Sequence, residues 1–339
     1  MIQRIQHLGR GQRILLFILL FGGGLLLIGA ITVLLILLGV NNSPREVAQA
    51  LAEGVTVTEF AQLPDDDAYP AAVAAVADGT IYTGSYATGA VWRISPDGST
   101  LTELPNTRER IGSVAGLDVG PDGALYILDR LNSSPGVAGG VLWRIAPDSE
   151  DVVDTGFVPD DTRGFVSPHS LTVDANGAVY VTDRGRHEVW RFTPEGAAVM
   201  WWQVPGGNAE ETLPTGIAYD PSTGTVLISE FSRSAVYRVG LDGSTIEELY
   251  SANNDGPGFD GLAVAPDGTV YVAALGSRTV ERLTDDLPQI LASGFRGVSD
   301  VAYAGGRLIA TNFDQRSLVV PGITPQLPFA LDVINLPAE

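Results

Sequence analysis

A glycine followed by a short apolar segment recurs six times along this chain. The segments are GTIY from Gly79, GALY from Gly123, GAVY from Gly177, GTVL from Gly224, GTVY from Gly268 and GRLI from Gly306. Fourteen residues beyond the glycine stand Arg93, Arg191, Arg238 and Arg282, inside VWRI, VWRF, VYRV and VERL. In the second repeat LWRI brings Arg144 later, across an insertion over about Leu131–Gly140, and in the sixth Val320 takes the position. A repeat of roughly 40–50 residues held in this phase is the signature of propeller blades.

Each repeat reads as four strands. An inner strand such as GLAVA meets a Pro-Asp-Gly turn, TVYVA and AVWRI-type strands follow, and a second turn leads to an outer strand such as TIEEL. Alternating apolar runs between tight turns are what antiparallel hairpins require. VTVTEFAQLP, from Val55, resembles an outer strand without its blade, so residues 55–61 are expected to pair with the last repeat and close the ring. The tail PFALDVINLP is expected to compete for that slot or to add a strand. Trp92, Trp143, Trp190 and Tyr237 share one strand position and read as packing between blades.

Ahead of the repeats, Ile14 to Val40 form a charge-free run of 27 residues. As a helix it measures roughly 40 Å, against about 30 Å of bilayer hydrocarbon. Arg4, Arg10 and Arg13 precede it, whereas Glu46, Glu53 and Glu59 follow. The positive-inside rule then puts the N-terminus in the cytoplasm and the repeats outside the cell membrane. The expected fold is an all-β six-bladed β-propeller preceded by one N-terminal transmembrane helix. Its parts are a cytoplasmic segment (1–13), the signal anchor (14–40), a polar linker (41–54) and the propeller (55–339).

Composition removes several chemistries. There is no cysteine for disulfides or thiolate catalysis, and every basic side chain is arginine, which excludes lysine Schiff bases. Only His7, His169 and His187 carry an imidazole. The net charge of −20 argues against a nucleic-acid partner.

PHSLTVDANGAVYVTD, LPTGIAYDPSTGTVLISE and FDGLAVAPDGTVYVA resemble the six-bladed gluconolactonase/senescence-marker-protein superfamily and the related NHL-type propellers, over residues 55–320. That resemblance implies a divalent cation, Ca²⁺ or another, held by oxygen ligands at the mouth of the central channel. Of the implied ligands Asp260 matches. His169 and Thr215 stand where the family places asparagine, and the first-blade glutamate has no counterpart in YPAAVAAV. The equivalent ring is Ala71, Ala115, His169, Thr215, Asp260 and Ser299. A second ring, six residues after each glycine, is Ser85, Asp129, Asp183, Glu230, Ala274 and Asn312. Its acids either accept hydrogen bonds from turns or face the channel with Asp260 and collect a cation.

Two functions fit these residues. One is a membrane-anchored binding or assembly module for a protein or glycan partner. The other is a metal-dependent lactonase- or esterase-like hydrolase, or a lyase in which His169 and Asp260 exchange protons with the substrate.

Overall fold

The structure, a computed structural model, describes residues 9–134, 136–159, 162–204, 212–253 and 256–337, without the side chains of 13–21, 23 and 24. Residues 1–8 of the expected cytoplasmic segment and residue 135 of the blade 2 insertion lie outside the described residues.

Six antiparallel sheets account for the repeats. Their inner strands are Pro70–Ala75 (blade 1), Val114–Val119 (blade 2), Pro168–Val173 (blade 3), Pro214–Asp220 (blade 4), Phe259–Val264 (blade 5) and Val301–Tyr303 (blade 6). Each runs into a second strand that begins just after a blade glycine, such as Val179–Asp183 after Gly177. Gly177 sits at φ 81°, in the left-handed region where the hairpin needs a residue without a Cβ. Every residue of Val179–Asp183 is buried, because blades cover both of its faces, whereas the outermost strand of blade 4, Ile246–Ser251, is exposed over half its length.

The ring closes as the sequence predicts. Thr56–Gln62 pairs with Ala330–Asn335 as the outer strand of blade 6, with Glu59 opposite Asp332. Blade 6 differs from expectation in its third strand, which is Ala330–Asn335, so Val333 and not Val320 lies opposite Ile309. Residues 311–329 form a long connection containing the short helix Gln315–Val319, and Pro321 and Pro325 deny that stretch a regular ladder. The tail therefore completes the blade instead of competing for its edge.

Blade 5 gains a fifth strand, Gln49–Ala50, paired with Gln289–Ser293. Glu46 pairs with Arg278, and Ala48 and Val55 enter the core between blades 5 and 6. The expected linker over 41–54 is corrected accordingly: from Glu46 onward the chain is part of the propeller, because these small apolar residues have a sheet edge to cover.

The N-terminal helix α1, Arg10–Asn41, forms a separate compact unit with residues 316–326. Within that unit Asn41 Nδ2 donates to the Gly322 carbonyl (2.8 Å) and Asn41 Oδ1 accepts from Thr324 N–H (3.1 Å). Among the described residues no helix is long and apolar enough to cross a membrane.

The core lies between blades. Leu128 and Leu142 of blade 2 meet Leu171, Val181 and Trp190 of blade 3, and Trp202 of blade 3 meets Ile217 and Tyr237 of blade 4. Each such side chain, fully buried, contributes about 1.5–3 kcal/mol. Trp190 and Tyr237 thus pack between blades as the repeat position implied. Near the axis the strands crowd: a Cβ on Gly216 would lie 2.1 Å from the Asp260 carbonyl oxygen, so only glycine fits.

Candidate functional site at the channel mouth

The antiparallel register brings two sequence positions together at one end of the channel. The start of each inner strand pairs with the end of the second, as Pro168 with Asp183, Val114 with Asp129 and Pro214 with Glu230. Immediately after the paired residue every one of these inner strands breaks register, at Ala115, His169 and Thr215–Gly216. Such a bulge takes a residue out of the ladder and re-aims its side chain. The first ring of candidates occupies those breaks, and the second ring lies beside them.

The second ring is committed to the backbone. Asp183 accepts N–H bonds from Val166 and Ser167, ahead of its own blade's inner strand, and from Gly185 and Arg186 in its own turn. Asp129 does the same for Gly112, Ser113 and Leu131, and also accepts the Trp143 indole N–H at 3.1 Å. Glu230 accepts from Leu213, Ser232 and Arg233. Asn312 Oδ1 accepts from Arg296 N–H, while its amide donates to Asp332. These groups clamp the entry loops to their blades. Of the two readings open to these acids, the hydrogen-bonding one holds and the cation-binding one does not: their oxygens are already occupied by donors.

The first ring divides. Thr215 and Ser299 are buried hydroxyls that bond carbonyls of the next blade, Thr215 to Phe259 (3.0 Å) and Ser299 to Ala71 (2.7 Å). His169 and Asp260 behave differently. Nε2 of His169 lies 3.6 Å from Oδ1 of Asp260, reaching past blade 4, and the two side chains are 20 % and 3 % exposed. Among the described residues Oδ1 of Asp260 is buried without a hydrogen-bond partner, and Nδ1 of His169 makes no bond of normal geometry, although the Thr215 backbone lies near enough to favour the charged imidazole. Burial pushes the Asp260 carboxyl up to about 7, with Arg184 opposing. Burial, and then Arg184 and Arg130, hold the His169 imidazole well below its usual range. Near neutral pH the pair is therefore a neutral imidazole beside a carboxyl poised between its two forms, which is the combination a proton exchange requires. His187, in the turn before Glu188–Phe192, is half-buried and bonds the Thr212 carbonyl through Nδ1.

Sequence reasoning missed a third ring, one residue beyond the second: Tyr86, Arg130, Arg184, Phe231, Leu275 and Phe313. The signal was available in the same glycine phase, but the residue types differ too much to read as a repeat. Tyr86 meets Phe313 edge-on at 5.0 Å between centroids. The Arg130 guanidinium lies 5.7 Å over Tyr86 and also bonds its hydroxyl, and Arg184 lies 5.7 Å over Phe231.

Deeper in the channel, inner strands of all six blades line a cavity of about 290 Å³ containing Asp118, Asp300, Ser170 and Thr172. Burial raises Asp118 to about 6 and Asp300 to about 8, although both accept backbone N–H bonds, from Val173 and Val119 and from Val73 and Val301. A larger hollow of about 650 Å³ between blades 5 and 6 contains none of the candidate residues.

A divalent cation does not fit this mouth. Among the described residues no three His, Asp or Glu side chains are placed to hold one. Asp260 alone matches the implied set, and the hydroxyls beside it are engaged with carbonyls. Hard cations require six to eight oxygens.

Fold and mouth define the class: this is a six-bladed β-propeller with a polar, partly unsatisfied opening at one end of its channel. Residues 165–192, which span the start of blade 3 to its third strand, match the NHL repeat model. The chain is 28 % identical over 168 residues to the mouse (Mus musculus) peptidyl-glycine alpha-amidating monooxygenase, covering 44 % of this chain and 17 % of that protein. Among solved structures it is similar to a gluconolactonase from Xanthomonas campestris, with 18 % identity, 87 % and 99 % of the two chains covered and a TM-score of 0.59. It is also similar to a virginiamycin B lyase from Staphylococcus aureus, with 14 % identity, 83 % and 99 % covered and a TM-score of 0.58. These structural likenesses establish the propeller fold.

Proposed function

We propose that this chain is a membrane-anchored, extracytoplasmic propeller that binds a protein or glycan partner at the His169–Asp260 mouth. The anchor is supported by the uncharged run Ile14–Val40, with arginines before it and glutamates after it. The observation that carries the binding site is the contrast in satisfaction. The acids of the second ring are hydrogen-bonded, whereas Asp260 Oδ1 and His169 Nδ1, also buried, have no such partner among the described residues. A buried polar atom without a partner costs about 1–3 kcal/mol, which a bound group can recover.

The test is site-specific photo-crosslinking of the full chain in its own membranes, with benzoylphenylalanine in place of Leu275 at the mouth or Val199 on the outer edge of blade 3. Adducts are expected from the mouth position only. Adducts absent there, or equal at both sites, would remove the reading.

A second reading, a hydrolase or lyase at the same mouth, is favoured by the 3.6 Å His169–Asp260 contact. The names of the two structural neighbours, a gluconolactonase and a lyase, give the substrates to try first. In this reading Asp260, when protonated, donates to a leaving or carbonyl oxygen, and neutral His169 accepts a proton. Loss of either group should lower turnover by about 10²–10⁴-fold. Turnover of glucono-lactone that persists in both His169→Gln and Asp260→Asn would exclude it.

A further inference from the structure

Five of the six third-ring positions carry aromatic faces or guanidinium ions, and Leu275 is the sixth. Arg184 is the informative member. It is half-buried, and its guanidinium has neither a hydrogen bond nor a salt bridge among the described residues; it lies over the face of Phe231 and is felt by Asp260 and His169 only through space. Among the described residues Arg108, Arg144, Arg186, Arg233, Arg238 and Arg278 each meet a carboxylate within 3.3 Å, whereas Arg184, in a chain whose acids outnumber its bases by 20, does not. Arg130 has a related arrangement one blade away, except that its guanidinium also donates to the Tyr86 hydroxyl. It lies over Tyr86, and its Nε is buried without a partner.

The local acids answer this charge only across space: Asp260 feels Arg184, but no carboxylate hydrogen-bonds it among the described residues. Asp129 and Asp183, adjacent in sequence to the two arginines, have their oxygens filled by backbone donors. Asp260 lies 3.6 Å from His169 and its Oδ1 is unpartnered, so neither it nor the imidazole closes a salt bridge to Arg184. What the mouth lacks is an anionic group that fits a planar fork, with an apolar body that can lie against Tyr86, Phe231 and Phe313. Guanidinium forks match carboxylates in two parallel hydrogen bonds, and stacking on an aromatic face holds the fork ready.

We infer that the mouth is a carboxylate site: it takes a ligand carrying a carboxylate beside a flat apolar group, with Arg184 as the principal anion-binding residue and Arg130 beside it. The inference rests on the reading that the mouth is the binding site, and it names the chemistry of what binds there.

Phenylacetate, phenylacetamide and phenethylammonium serve as probes, because they share an apolar ring and differ in charge. The readout is the imidazole Cε1–H resonance of His169 in the full chain in detergent, assigned by its loss in His169→Gln among only three histidines. Phenylacetate is expected to shift this resonance saturably and to bind at least about tenfold more tightly than the neutral and cationic probes. Arg184→Gln should weaken phenylacetate about tenfold or more, Arg184→Lys should weaken it less, and Arg93→Gln, at an exposed blade 1 position, should leave it unchanged.

The carboxylate inference is overturned if phenylacetamide or phenethylammonium binds as tightly as phenylacetate, an outcome in which the mouth remains a binding site. It is also overturned if phenylacetate binding survives both Arg184 variants, or if none of the probes moves the resonance at millimolar concentration. The crosslinking test above then decides separately whether the mouth binds anything.

Discussion

Asp183 and Asp260 are both buried aspartates at the same end of the channel, 0 % and 2 % exposed, yet they are in opposite circumstances. Asp183 ends a second strand and collects four backbone N–H donors from two loops. Asp260 sits in the irregular start of an inner strand, with His169 at 3.6 Å and no hydrogen bond to Oδ1. Burial alone therefore does not separate the two carboxyls. The distribution of donors does, because a saturated carboxylate has no capacity left for a ligand, whereas an unsatisfied one is unstable until something arrives.

The sharpest way to break the contrast is to remove Asp183. Asp183→Ala frees buried donors in two loops of blade 3 and should lower unfolding free energy by on the order of 3–5 kcal/mol, read by denaturant titration. Asp129→Asn is the milder version. It keeps one acceptor and turns the other into a donor facing backbone or indole N–H, with an expected loss of about 1–3 kcal/mol.

Asp260→Asn should cost less than about 1 kcal/mol at pH 7, or stabilise, because no donor loses its acceptor. Equal losses at Asp183 and Asp260 would erase the distinction between the rings.

The pH dependence gives the smallest and most specific signal. Asp118, Asp260 and Asp300 have folded values of about 6, 7 and 8 against an ordinary 3.8, so each holds its proton longer in the folded state. Their contribution is fully present below pH 3.8 and is lost as pH rises through those values. His169 works the other way. Its lowered value means that stability is lost as pH falls below 6.5. The two trends oppose each other between pH 4 and 6.5, and the channel acids act unopposed above that. The thermal midpoint should therefore fall between pH 6.5 and 8, and Asp260→Asn should flatten the fall. An unchanged slope in that variant would show that Asp260 does not titrate in this range.

Much of the architecture was legible because it is periodic. A hairpin needs glycine at a left-handed turn, a strand buried on both faces needs an unbroken apolar run, and a blade repeats both at a set interval. Gly79 through Gly306 thus predict six blades, and VTVTEFAQLP predicts the closing strand. The third strand of blade 6 was not legible, since the long connection after Thr311 breaks the interval that located Arg93 and its equivalents. The polar reading of 41–54 missed the edge strand at Gln49, because two residues are too few to show alternation.

The candidate site shows the same division. Period and family resemblance selected His169, Asp260, Asp129, Asp183 and Glu230 as acids and bases at one end of the channel, and strand register sets each at the matching end of its blade. Their roles depend on partners that the repeat does not encode: loop N–H groups for Asp183, an imidazole two blades away for Asp260, and aromatic faces from other blades for Arg130 and Arg184. By itself the sequence determined the ring, its phase, its closure and the inventory of groups near the axis, because these follow from local periodicity. Only the tertiary structure decided which buried carboxyls are spent and which are open, because that depends on hydrogen-bond donors brought together across blades.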